Sequence, residues 1–236
     1  MPIGFRIARR RRKVDAALVE RFRSLPVANV SDSMSRMAAA GPRLRPMHKG
    51  GAMAGPALTV KVRPGDNLML HRALDLAEPG DVIVVDAGGD LTTAIMGDLM
   101  LAHATKRGVA GLVVNGAVRD LDSIRAQDLP LYAAGVTHRG PYKDGPGEIN
   151  GAVALDGMVV EPGDLVLGDA DGVLAVPFDA VPTVLAVPLD AVPAVLAGAE
   201  AKRAAEEREM AAILAGTSDR SWVLRTLESR GCEIEE

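Results

Sequence analysis

Apolar positions along this chain follow two rhythms, one helical and one of strands, with glycine and proline marking the joints. Val14, Ala17, Leu18 and Phe22 fall on one helix face and predict a helix that Pro26 ends. Ser31 or Asp32 then offers a cap for a short helix to Ala40, stopped by Gly41-Pro42. Residues 43–53 read as loop, and Leu58 to Val62 alternates like a strand that ends at Pro64-Gly65. A helix is predicted over Asn67 to Ala77, then a turn at Pro79-Gly80-Asp81 and a continuous apolar strand, Val82 to Asp86, of the kind buried on both faces.

After Gly88-Gly89 a second strand leads to Gly97, and Leu99 to Arg107 reads helical, with Lys106, Arg107 and Gly108 as its stop. Gly111 to Asn115 is a strand, Leu121 to Gln127 a short helix and Leu131 to Gly135 another strand. Thr137 to Gly151 is rich in Gly, Pro and charge and reads as a long loop. Three short strands follow, at Met158–Val160, Leu165–Leu167 and Val173–Val176, split by Pro-Gly-Asp and Asp-Gly turns. Val176 to Ala186 is then repeated at Val187 to Ala197, differing only at Phe178/Leu189 and Thr183/Ala194. Ala197 to Ala215 is a helix by propensity, Trp222 to Leu227 a last short helix and Gly231 to Glu236 a frayed acidic tail. The irregular alternation of helices and strands predicts an α/β domain in layers.

Composition narrows the classes. With 236 residues the chain suits one domain, a core at about 25–177 and a helical extension at about 178–236 that carries the duplication. Hydrophobic residues make up 48% but aromatic ones only 3%, so Ala, Val and Leu fill the core, with ten Met as adaptable packing. A net charge of −4 gives no general pull towards nucleic acid or an acidic membrane. The basic run Arg9 to Lys13 lacks interleaved aromatics and is expected to be a solvated arm. The first thirteen residues have arginines but no apolar stretch with a cleavage site, so no secretory signal is expected. No apolar run approaches the about 18 residues of a membrane span. The one cysteine, Cys232, has no partner for an internal disulfide, which fits a cytoplasmic setting.

Candidate chemistry gathers at Gly97-Asp98-Leu99-Met100 and Gly116-Ala117-Val118-Arg119-Asp120. The first reads as a helix entrance, where the Leu99 and Met100 N–H groups point at a positive dipole end suited to an anion. The second delivers an arginine that can clamp a carboxylate or enolate oxygen, beside an aspartate that can hold a divalent cation. Plainer roles fit the same residues: Asp98 favouring the helix dipole, Asp120 capping the next helix, Arg119 pairing with a nearby acid. Asn67 and His71, four apart, share a helix face. Gly88-Gly89 lies in no dinucleotide or Walker pattern. His138 and Glu148 lie in the long loop without metal-ligand spacing.

Twenty residues separate Asp98 from the Arg119-Asp120 pair. In that spacing the chain resembles the divalent-metal-dependent pyruvate aldolases that cleave 4-hydroxy-4-methyl-2-oxoglutarate and 4-carboxy-4-hydroxy-2-oxoadipate. Their superfamily also holds regulators of ribonuclease E activity, which are not aldolases. The resemblance runs from about Leu25 to Pro177 and includes Val30-Ser31-Asp32, Gly55 to Val60, Pro64 to Asn67, Pro79 to Val82, Arg107 to Gly111, Pro162-Gly163-Asp164 and Asp171-Gly172-Val173. It implies a β/β/α sandwich of the swivelling type, assembled as a homotrimer or homohexamer with sites between subunits. It also implies a lyase of aromatic compound degradation that releases pyruvate and decarboxylates oxaloacetate. Asp120 is then expected to anchor Mg²⁺ or Mn²⁺, Arg119 to stabilise the enolate, and Asp98 to orient Arg119 and a water. Gly97 and the Leu99 and Met100 N–H groups are expected to hold the substrate carboxylate, and Asn67 and His71 to reach its C4 end. No pocket lysine is expected to form a Schiff base. Glu206 is the expected acid from a neighbouring subunit. The alternative is a non-catalytic regulator of an RNA-processing ribonuclease; a methyltransferase label seen on relatives finds no glycine-rich cofactor fingerprint here.

Overall fold

The computed structural model describes residues 4–180 and 192–215, with 217, 219 and 221. In chain order the elements are β1 (Phe5–Ile7), α1 (Ala16–Arg23), α2 (Val27–Ser33), β2 (Arg45–Pro46), β3 (Met53–Val62), α3 (Leu68–Leu76), β4 (Val82–Asp86), β5 (Ala94–Met96), α4 (Asp98–Arg107), β6 (Gly111–Val118), α5 (Leu121–Arg125), β7 (Leu131–Val136), β8 (Gly147–Ile149), β9 (Val153–Leu155), β10 (Met158–Val160), β11 (Leu165–Gly168), β12 (Val173–Val176) and α6 (Val192–Leu214).

Strands β3, β4, β6 and β7 lie side by side and parallel. Their side chains alternate between two buried faces. Leu58, Val60, Ile83, Val85, Leu112 and Val114 face α3 and α4 and pack on Leu70, Ala73, Leu101 and Ala104. Ala57, Val82, Val84 and Val113 face the other way, onto Val153, Leu155, Met158 and Val160 of the β9–β10 hairpin. The result is a layered β/β/α arrangement. On the flank, α1 and α2 set Val19, Phe22, Val27 and Val30 against Leu165, Leu167, Leu174 and Val176 of β11 and β12.

Several boundaries differ from the sequence pattern. Strand β3 starts at Met53 rather than Leu58, because Met53 to Pro56 pair antiparallel with β11. The long loop at Thr137 to Gly151 contains β8, which pairs with the end of β3 and carries Glu148. Helix α2 begins directly after Pro26, whose missing N–H costs nothing at a helix start. It ends at Ser33, because Ser35 and Arg36 take left-handed backbone at φ 57 and 61. Ser31 and Asp32 therefore lie inside it rather than capping it, and Asp32 pairs with Arg36 at 2.7 Å and Lys202 at 3.1 Å.

The basic run is not a solvated arm. Arg10 grips the fully buried carboxylate of Asp81 through two bonds of 2.9 and 3.0 Å, and Lys13 lies 3.2 Å from it. Arg12 pairs with Glu161 and Asp179 and stacks on Phe178. Only the alternate residues, Arg9 and Arg11, face solvent with Lys13 at the edge. An unpartnered buried carboxylate is costly, which is what draws the arm in.

Helix α6 starts inside the second copy of the duplication, and Glu206 on it accepts a 2.8 Å bond from Asn29 of α2. Residues 181–191 of the duplication, the predicted helix at Trp222 to Leu227, Cys232 and the acidic tail lie outside the described residues. No helix among the described residues is long and apolar enough to cross a membrane.

Arg10→Ala should strand the Asp81 charge and lower the unfolding free energy by about 2–3 kcal/mol, with Lys13 softening the loss. Arg9→Ala should change it by less than about 0.5 kcal/mol. Urea unfolding of the two variants checks this; equal effects would mean that the buried pair is not what anchors the arm.

Candidate active site

The site forms where β5 and β6 end side by side. Parallel pairing of β5 with β6 brings Gly97 against the turn after Val118, and the Arg119 N–H bonds the Met96 carbonyl at 2.9 Å. Gly97 has extended backbone, so its need is for space. A Cβ there would strike the Asp120 carboxylate and lie 3.1 Å from Arg119 Cγ. Asp120 itself has φ 61, a left-handed conformation that a short polar side chain tolerates better than most.

Asp120 stands at the N-cap position of α5 but makes no side-chain cap bond. Its Oδ2 instead accepts the Asp98 N–H at 3.1 Å and lies 3.5 Å from Arg119 Nε. The plain capping role is thereby ruled out, and Arg119 has its nearby acid in the neighbouring residue. Asp98 opens α4 and accepts the Leu99 N–H at 2.7 Å. Two of the first-turn donors are thus occupied by this chain's own carboxylates. Leu101 N–H bonds Gly97 O at 3.1 Å. The Met100 N–H has no protein acceptor among the described residues.

A cleft of ≈ 430 Å³ opens here, lined by Asn67, His71, Gly97, Asp98, Leu99, Met100 and Arg119, together with Pro141 and Lys143. Asn67 is buried; its Nδ2 donates to Ile95 O at 3.0 Å, while its Oδ1 is buried with no partner. A buried acceptor left unpaired is expensive, so a ligand donor here would be rewarded. His71 is held below the ordinary histidine value, first by burial and then by the like charges of Lys143 and His103.

Lys143, which the sequence pattern does not mark as a site residue, also lines the cleft. It sits on the strand-free part of the long loop, which returns to the head of α3 through an Asn67 N–H to Tyr142 O bond of 3.0 Å. No local pattern marks that return. On the other side of Arg119 a second cavity, of ≈ 470 Å³, is lined by Arg119, Asp120, Val136, Thr137 and His138. His138 thus comes to the site, while Glu148 lies away from it on β8 and accepts the Gly4 N–H at 3.2 Å. Glu206 is not among the residues of either cavity.

The family model described as RraA-like, Aldolase/RraA, matches residues 27–175. The chain belongs to this RraA-like family. A curated relative from Halalkalibacterium halodurans, provisionally named 4-hydroxy-4-methyl-2-oxoglutarate aldolase, is 41% identical over 159 residues, covering 67% of this chain and 76% of its own. The solved RNA-processing inhibitor RraA from Thermus thermophilis is 32% identical, with a TM-score of 0.60 over 64% of this chain and 92% of that one. Streptomyces coelicolor RraAS2, titled an unusual member of the RNase ES inhibitor RraA protein family, is 26% identical, with a TM-score of 0.70 over 83% of this chain and 96% of that one. The RraA-like family thus holds proteins named for catalysis and proteins named for inhibition, so the choice between them rests on the site.

His71 offers a direct check of the cleft. Its folded-state midpoint lies below 6.5, so the unfolded chain binds the proton more readily. Its stabilising contribution is full above that ordinary value and is lost as pH falls towards the folded midpoint. Lys143→Ala should raise the His71 midpoint seen by NMR titration yet leave it below 6.5, because burial, the larger cause, remains. An unmoved midpoint would place the Lys143 charge away from His71.

Proposed function

We propose that this chain is a divalent-metal-dependent aldolase that cleaves a 4-hydroxy-2-oxo acid to release pyruvate, and that also decarboxylates oxaloacetate. The observation that carries this reading is the convergence on one cleft of Arg119, the opening turn of α4 and Asn67, whose buried Oδ1 has no partner. Those are a stabiliser for an oxyanion, a seat for a carboxylate and an acceptor for a hydroxyl proton. A 4-hydroxy-2-oxo acid presents all three groups in a row.

The donor set fits a hard cation. Asp120 and Asp98 would supply oxygen ligands, as a pair rather than a full cage, since no group of three His, Cys, Asp or Glu side chains converges among the described residues. Mg²⁺ or Mn²⁺ suits such a site, because Mg²⁺ keeps several waters and takes one or two carboxylates. Asp120 would hold it, with Asp98 reaching it through water. When bound, such an ion draws electrons from the carboxylate and keto oxygens of the substrate.

The chain's own residues do the rest. Arg119 donates to the keto oxygen and stabilises it as negative charge develops there. The Met100 N–H, joined by the Leu99 N–H once the Asp98 carboxylate turns away, binds the C1 carboxylate at the positive end of α4. The Asn67 amide oxygen accepts from the 4-hydroxyl and orients it; the hydroxyl proton passes to solvent water as the C3–C4 bond breaks, and C3 of the enolate takes a proton from water to give pyruvate. Neutral His71 and Lys143 face the C4 substituent. Decarboxylation of oxaloacetate breaks the corresponding C3–C4 bond and passes through the same enolate. The assembly in this reading is a homotrimer or homohexamer in which Glu206 of a second copy completes the site.

The test is pyruvate release from 4-hydroxy-4-methyl-2-oxoglutarate, with and without Mg²⁺ after chelation. Release that depends on added metal is the expected result. No release under either condition would favour the second reading, a non-catalytic regulator, to which the Thermus inhibitor gives its weight. Trapping by borohydride would instead point to an amine route through Lys143.

Two variants refine the test. Asp120→Ala should abolish metal-supported cleavage and stay folded, since its side chain makes no helix cap and such a turn residue is worth at most about 1–2 kcal/mol. Arg119→Lys keeps the charge but loses the planar fork, and kcat should fall about 10²-fold for both reactions. If only one reaction falls, Arg119 sets specificity rather than stabilising the shared enolate.

A further inference from the structure

Asp66 is wholly buried and ionisable, and the mechanism above makes no use of it. Its two oxygens serve two different parts of the chain. Oδ1 accepts the Leu68 N–H at 2.9 Å and fastens the first turn of α3. Oδ2 accepts the Asp144 N–H at 2.7 Å and the Gly145 N–H at 2.9 Å, across 78 and 79 residues of sequence. Arg63 adds a 3.2 Å contact to the same oxygen. The backbone reinforces the junction, with Asn67 N–H to Tyr142 O at 3.0 Å and Tyr142 N–H to Gly65 O at 2.8 Å. Burial alone would raise the Asp66 carboxyl, but these N–H donors and Arg63 hold it below its ordinary value.

What hangs on this junction is the site. Helix α3 carries His71, Asn67 stands at its head, and the joined segment brings Pro141 and Lys143 to the lining of the same cleft. Further back along that segment, a Cβ at Gly140 would lie 3.0 Å from Arg119 Nη1, so the chain there passes closely over the guanidinium. The Ala94 N–H ties the Arg139 carbonyl to β5 at 2.8 Å, and Thr137 and His138 line the cavity beside Asp120. Holding the Leu68 N–H takes one oxygen; the second holds the loop at Asp144 and Gly145.

We propose that Asp66 is a positioning residue, whose buried carboxylate joins the head of α3 to the 137–147 segment and so sets the width of the cleft at the substrate's C4 end. It touches no substrate. The proposal rests on the reading of this cleft as an oxo-acid aldolase site, and it predicts which substrates feel the loss. A molecule with a C4 substituent needs His71 and the Pro141–Lys143 side of the lining held together. Pyruvate, which ends at C3, needs only Arg119 and the α4 entrance.

Asp66→Asn and Asp66→Ser separate the two duties. Asparagine presents one acceptor in place of two, while serine keeps a short acceptor for the Leu68 N–H and cannot reach the loop. In both, KM for 4-hydroxy-4-methyl-2-oxoglutarate should rise about 10-fold or more, the scale of losing bonds to a charged acceptor. The rate of pyruvate C3-proton exchange in deuterated water should stay within about 2-fold. Amide hydrogen exchange should quicken in 141–147 and stay unchanged in 98–120. An unchanged KM, an equal fall in pyruvate exchange or insoluble protein in both variants would overturn the proposal. If the parent protein turns over neither compound, the aldolase reading fails by itself. The amide exchange then decides whether Asp66 couples the head of α3 to the loop, and unchanged exchange in 141–147 overturns that coupling.

Discussion

Strand β3 is the constraint on which the rest of the fold depends. Its ten residues must satisfy backbone groups on both edges while nearly every side chain is buried. It does so by changing partners along its length. Met53 to Pro56 run antiparallel to β11; Ala57 to Lys61 run parallel to β4; Val60 to Val62 also pair with β8. Each of the three apolar clusters takes side chains from this one strand: Leu58, Val60 and Val62 in one, Ala54 in the second, Met53 and Ala57 in the third. The parallel sheet that follows, with β6 carrying β5 at its far end, brings Gly97 and Asp120 together.

At that far end the chain manages its own charge. Asp120 accepts from the Asp98 N–H, Asp98 accepts from the Leu99 N–H, and Arg119 lies beside Asp120. Carboxylates thus occupy part of the positive end of α4 and set the cost of ligand binding. Under the proposed reading, a substrate carboxylate would have to offer the α4 donors more than Asp98 does, and a cation would compete with Arg119 for Asp120. The same logic appears across the molecule, where Asp81 draws in Arg10 and Asp66 gathers the N–H groups of a distant loop. At Asp81 and Asp66 a buried carboxylate determines where a length of chain lies.

Much of this was legible in the sequence, unevenly. The helix at Asp98 to Arg107 has the predicted ends, with Gly108 in left-handed backbone as its stop, because capping chemistry is local. The apolar run Val82 to Asp86 announces a strand buried on both faces, and it is one. The spacing from Asp98 to Arg119-Asp120 pointed to a shared place, and the structure brings the three together. Failures cluster where partners are remote. Nothing near Met53 signals that β11 will lengthen β3, and nothing near Arg10 signals a fully buried acid at Asp81. Asp120 follows the statistics of a cap residue, yet its carboxylate turns to a different helix.

The sequence by itself determined most of the helices and the central strands, the layered class and the residue types of the chemistry, because periodicity, capping and glycine punctuation act over a few residues. Only the tertiary structure decided which walls those residues share. Lys143 and His71 lie 72 positions apart in sequence and meet on one cleft. That meeting depends on Asp66 bonding Asp144 and Gly145, a contact across 78 and 79 residues. Such contacts follow from how the layers close and where an unpaired buried charge finds its donors, and no local pattern encodes that.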